Sequence, residues 1–245
     1  MDDALMQTSN SARTVDGSRG VDWWTESWAL FMKNAGMWLV FGVIFLVILI
    51  VLGFVPLLGG LASAVLTQVI VGGWMLSARK LESGGNLEPA DLFLGFKHQL
   101  NPLLVVGALA LAATLVIVTV GAVLGAGSVV GMIAGGGTSS AGGVLAGLAG
   151  LMLAAIVMVV LGFVAAIALW FAPALVVFGN VAPIEALKES WSASMKNIVP
   201  FLIYGALWIV AAVVASIPLM LGWFVLMPLT LLSMYRAYVD IFETR

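Results

Sequence analysis

The chain has one histidine, no cysteine and twelve carboxylates, and these set the limits of its chemistry. Without thiolates, disulfides and thiolate metal sites are excluded. His98 has no carboxylate inside the apolar stretches to join it in a ligand set, so no metal site is expected there. Its expected role is to close an interfacial helix as a polar residue. General acid–base chemistry needs carboxylates held apart in pKa within one cleft. The acids here stand beside bases on faces expected to be solvated. Neither a nucleophile elbow nor a phosphate-binding glycine loop occurs. The reading is of a non-enzyme without a cofactor, and with no basic stripe it has no nucleic-acid partner.

Two other sets of residues carry polar chemistry. Gln68 is expected in mid-span, where its amide needs a partner, either another helix or a solute path. Tyr204 is a second such interhelical or pore-lining candidate. Lys33, Arg79, Lys80, Lys196 and Arg236 gather at the ends of the apolar stretches, with Asp240 beside them. A base at headgroup depth attracts anionic lipid by about 1 kcal/mol. These six residues form the expected lipid- or partner-binding rim.

The elements that position them follow from where charge is missing. No Asp, Glu, Lys or Arg occurs between Lys33 and Arg79, between Lys97 and Glu185, or between Lys196 and Arg236. A charge at the bilayer centre costs about 2.5–3.5 kcal/mol even on insertion scales, so such stretches mark membrane spans. The chain is 62% hydrophobic and 9% charged, where soluble domains carry about 25% charged residues. A span needs about 20 apolar residues. Each stretch therefore holds two, at 36–55, 60–78, 103–124, 146–172, 199–217 and 222–239. The glycine-rich segment 126–143 reads as a loop or short re-entrant piece, because glycine disfavours helix.

The fold class expected is an all-α integral membrane protein. Six transmembrane helices form three hairpins, each preceded by an amphipathic interfacial helix. Residues 1–20 are polar and expected to be a disordered cytoplasmic N-terminus, and 21–245 a single transmembrane domain. All ten Lys and Arg residues lie outside the three turns, which places both termini in the cytoplasm of a bacterial inner membrane. Trp38, Trp74 and Trp170 are expected in an aromatic belt on that side and Trp223 on the other.

Glu26-Ser27-Trp28 followed by Met32-Lys33-Asn34 recurs as Glu189-Ser190-Trp191 followed by Met195-Lys196-Asn197. A weaker copy runs from Pro89 through Phe96-Lys97 to Asn101-Pro102. This gives repeat units of about 21–82, 88–178 and 182–243, parallel rather than inverted. In the first lead helix Trp24, Trp28 and Phe31 are expected to oppose Asp22, Glu26, Ala29 and Lys33. In the last, Ile184, Leu187, Trp191 and Met195 are expected to oppose Glu185, Lys188, Ser192 and Lys196.

With this repeated motif, Pro200-Phe201-Leu202 and the run from Tyr235 to Phe242, the chain resembles a family of small, uncharacterised bacterial inner-membrane proteins of betaproteobacterial type. It is more distantly similar to the membrane domain that precedes some glycerophosphodiester phosphodiesterases. The resemblance implies a role around lipids or as a membrane platform, and no catalysis. The functional expectation is an accessory or scaffold protein that binds anionic lipid and a membrane partner, another protein or a second copy. The alternative is a transporter or channel for an uncharged or lipophilic solute, with a path past Gln68 and Pro228.

Overall fold

A chain in hydrocarbon can satisfy its backbone N–H and C=O groups only within its own helix, so long uncharged runs become long helices. The computed structural model describes residues 12–56 and 58–243. The helices are α1 (Arg19–Lys33), α2 (Ala35–Gly53), α3 (Leu58–Glu82), α4 (Leu94–Lys97), α5 (Leu100–Ala134), α6 (Ala141–Trp170), α7 (Ala172–Gly179), α8 (Pro183–Lys196), α9 (Ile198–Ser216) and α10 (Trp223–Phe242). Short 3-10 turns lie at Pro89–Phe93 and Gly137–Ser139. No strand occurs among the described residues.

Six stretches are long and apolar enough to cross a membrane: α2, α3, α5, α6 continued through α7, α9 and α10. They form the three expected hairpins, led by α1, by the 89–93 turn with α4, and by α8. Pro183 opens α8 and Pro89 the 3-10 turn, where a missing N–H costs no helix bond.

Two expectations about extent are corrected. The segment 126–143 is a loop only over 135–140: α5 runs to Ala134 and α6 starts at Ala141. Glycine's propensity penalty is only about 1 kcal/mol per position, and the close contacts of Ser128 with Gly150, Met132 with Gly147 and Gly135 with Gly143 pack the two helices together across the turn. The N-terminal segment is not disordered throughout to residue 20. The Arg13 N–H donates to the Ile241 carbonyl and the Val15 N–H to Asn197, and α1 has begun by Arg19; residues 1–11 lie outside the described residues. The described residues gather into two compact units, one of those up to Gly107 with those from Ala168 on, the other Ala108–Ile167.

Within the first unit, the lead elements dock mainly on hairpins other than the ones they introduce. α1 lies against α9 and α10, the 89–93 turn and α4 against α3, and α8 against α7. α10 also packs on α2 and α3. Close approach is built in: a methyl on Gly73 would collide with the Leu92 carbonyl, and one on Gly20 with that of Pro200. The α2–α3 contact is filled by Trp38 stacked on Trp74 at 5.8 Å, with Phe41 edge-on to both. All three are fully buried, so Trp38 and Trp74 are core residues and not the expected belt. Helix packing beside the charged end supplies more contact area for a large ring than the lipid interface does.

Each lead helix also turns a defined stripe of residues inward. α1 buries Trp23, Ser27, Leu30 and Phe31, while Trp28 and Met32 are exposed. Phe31 nonetheless stacks on Trp28, 5.8 Å between ring centroids, and so joins the inward stripe to the outer aromatic face. α8 turns its small residues Ala186, Ser190 and Ala193 inward and exposes Ile184, Trp191 and Met195.

The second unit is an antiparallel helix pair held by glycine contacts. Gly121 meets Met158, Ser128 meets Gly150, Met132 meets Gly147 and Gly135 meets Gly143. Thr114 and Ser128 donate to the carbonyls of Ala110 and Leu124 in their own helix, the usual state of a hydroxyl in a span.

Candidate functional site

The charged residues of the rim form a connected network. The buried Asp240 near the end of α10 receives Arg19 Nε at 2.6 Å, the Trp23 indole N–H at 3.1 Å and Arg13 at 3.2 Å. Arg19 continues to Asp22 and Glu26, each at 3.0 Å. Glu26 also takes Arg236, which reaches Glu82 at the end of α3. Glu82 accepts the Tyr235 hydroxyl at 2.5 Å, Tyr235 accepts Arg79 Nε at 3.0 Å, and Arg79 pairs with Glu243. Arg79 also lies over the Phe178 ring, 4.0 Å from its centroid. A second joint pairs Lys80 with both Asp91 oxygens at 2.8 and 2.9 Å, fixing the 89–93 turn to α3. Burial works against the Arg19 charge, but Asp240 and Glu26 outweigh it and raise its pKa above the ordinary value.

Of the expected rim, the structure therefore brings Arg79, Arg236 and Asp240 into one network and joins Lys80 to Asp91. Lys33 and Lys196 lie outside both. Both are exposed, and neither enters an ion pair with a described residue. Lys97, exposed at the end of α4, shares this state and was not among the expected rim residues. Its position in the weaker repeat copy, as Phe96-Lys97, was the available signal.

The asparagines of the repeated motif do different work. Asn34 caps α2 by accepting the Met37 N–H at 3.3 Å. Asn197 instead holds the segment before α1, accepting the Val15 N–H at 2.8 Å and donating to the Arg13 carbonyl at 3.0 Å.

Gln68 and Tyr204 sit on different helices, α3 and α9, with α10 packed against each. Gln68 is half-buried. Tyr204 is buried, stacked on Trp24 at 5.3 Å and edge-on to Trp170 at 5.7 Å. An open groove of about 340 Å³ lies between Trp208 and Trp223 and includes neither residue. Trp223 thus stands at the α9–α10 turn end, its indole N–H donating to Ser216 at 3.1 Å.

Six long apolar helices, no strands among the described residues and a charged network closing one end of the first unit define an all-helical, multi-pass membrane protein. The chain belongs to the family described as a domain of unknown function (DUF7847), matched over residues 90–241. It is also similar to a protein of Burkholderia thailandensis named as a probable inner membrane protein. The two are 25% identical over 206 residues, covering 82% of this chain and 76% of the relative. No solved structure matches the chain.

Proposed function

We propose that this is a non-enzymatic protein of a bacterial inner membrane, with both termini in the cytoplasm. It acts as an accessory or scaffold that binds anionic lipid and a membrane partner at its cytoplasmic rim. The observation that carries this reading is the network of ion pairs from Arg13 through Asp240, Arg19, Glu26 and Arg236 to Glu82, extended to Arg79 by hydrogen bonds through the Tyr235 hydroxyl. It ties α1, α3 and α10 into a base and takes up the charges that a catalytic cleft would otherwise use, while leaving bases of the rim outward. The name of the Burkholderia relative supports the inner-membrane placement, and the positive-inside distribution supports the orientation. The distant likeness to a phosphodiesterase membrane domain belongs to this reading and rests on sequence motifs alone.

Native mass spectrometry of the protein extracted with its own lipids in nanodiscs tests it. Retained anionic lipid, or a protein at fixed stoichiometry, is the expected result. A bare protein without either would count against the scaffold and turn attention to solute flux in liposomes.

A further inference from the structure

The described lysines and arginines divide into two groups. Arg13, Arg19, Arg79, Lys80, Lys188 and Arg236 each enter an ion pair. Lys33, Lys97 and Lys196 enter none with a described residue, and each is exposed. These three occupy one structural position. Each lies in the last turn of a lead helix, two residues before Ala35, three before Leu100 and two before Ile198, the first residues of α2, α5 and α9.

The residue ahead of each lysine is large, apolar and exposed: Met32 at 57%, Phe96 at 37% and Met195 at 37%. In α1 and α8 an exposed tryptophan, Trp28 or Trp191, stands one turn earlier. A base in the last turn answers the helix dipole. The dipole gives no reason for an apolar neighbour held outward in all three places, whereas an interface that is apolar below and anionic above does.

We infer that Lys33, Lys97 and Lys196, each beside its exposed Met32, Phe96 or Met195, form three equivalent contacts to the anionic phospholipid headgroups around the protein. Arg79, Lys80 and Arg236 serve the fold instead. The start of a spanning helix two or three residues later fixes each lysine at headgroup depth, and the positive charge without an internal counter-charge selects anionic lipid. This inference rests on the proposed rim reading and names the residues that carry it.

The test compares wild type with the triple variant Lys33→Gln, Lys97→Gln, Lys196→Gln in nanodiscs of mixed phosphatidylglycerol and phosphatidylcholine. Retained lipid is read by native mass spectrometry, with a thermal melt to check the fold. Lys188→Gln, which removes an exposed base of a local pair with Glu185, is the control. Each contact is worth roughly fivefold in selectivity, so the triple variant loses most of the phosphatidylglycerol preference and the control keeps it. An undiminished preference in the triple variant overturns the inference while leaving the rim reading standing. No preference in wild type overturns both. Loss of a stoichiometric co-purifying protein from the triple variant, with lipid preference intact, assigns the surface to an acidic partner and overturns the lipid assignment.

Discussion

Gln99 and Asn180, 81 residues apart, are joined by a 2.6 Å hydrogen bond from Gln99 Nε2 to Asn180 Oδ1, and both hold left-handed backbone at φ 58° and 51°. Gln99 precedes α5 and Asn180 ends α7, so the pair closes the base of the segment between them. Asparagine tolerates this backbone region and alanine does not, at about 1–2 kcal/mol. Asn180→Gly keeps the backbone and loses the side-chain bond, costing about 0.5–1 kcal/mol. Asn180→Ala loses both and falls further, by roughly another 1 kcal/mol. Thermal melts in detergent order the variants; alanine performing as well as glycine would show that the left-handed turn carries no strain.

Asp240 should be the most sensitive acid of the network. Its side chain is 8% exposed and receives two arginines and the Trp23 indole. Asp240→Asn leaves Arg19 partly buried against a neutral group, and we expect a loss on the order of 2–3 kcal/mol, toward the low end for breaking a buried pair. Lys188→Gln removes an exposed i,i+3 pair and should cost under about 0.5 kcal/mol. Equal melting shifts for the two variants would contradict the division between network and surface.

The spans and hairpins were legible because charge exclusion from hydrocarbon acts locally in sequence: one missing charge after another marks the same helix. The helix through 126–134 was not, because glycine's propensity is a local property, while the contacts that pack this segment on Gly147 and Gly150 of α6 lie across the turn. Most of the network was hidden for a different reason. Arg19 with Asp22 and Glu26 lies along one helix and could have been paired from spacing. Arg236 with Glu26 spans 210 residues, and only the docking of α1 on α10 brings them together. Lys33 and Lys196 were read as rim residues on the same grounds as Arg79, Lys80 and Arg236, since a count of bases cannot separate those that meet a carboxylate from those that do not.

The glycines of the second unit fall into two kinds, which makes a paired test available. A Cβ at Gly150 would lie 2.8 Å from Ser128 Cβ, whereas one at Gly131 meets nothing within 4 Å. Gly150→Val should force α5 and α6 apart locally, at about 1–3 kcal/mol for overpacking. Gly131→Val should be neutral or slightly stabilising, because valine loses less chain entropy than glycine. Hydrogen exchange of Ala108–Ile167 amides in nanodiscs reads the difference directly: faster exchange is expected for Gly150→Val alone. Matching exchange in both variants would mean that the glycine contacts do not hold the pair.

Glu189 gives the fold a pH dependence of defined sign. Its Oε2 is buried without a hydrogen-bond partner, and burial, followed by the nearby Glu185 charge, pushes its carboxyl above the ordinary value of 4.5. The folded chain thus holds this proton more tightly than the unfolded chain does. The associated stability is fully present below the unfolded pKa and is lost as pH rises through the folded one. Asp16, held below the usual range by the Ser18 N–H at 2.8 Å, acts oppositely, losing its contribution as pH falls through its own lowered value. The two effects therefore occupy different windows. Glu189→Gln removes the ionisation and keeps the size, so its melting temperature should gain on wild type as pH climbs from about 4 to about 7. The expected result is a gap that opens with pH; a gap constant across that range would show that Glu189 titrates alike in the folded and unfolded chain.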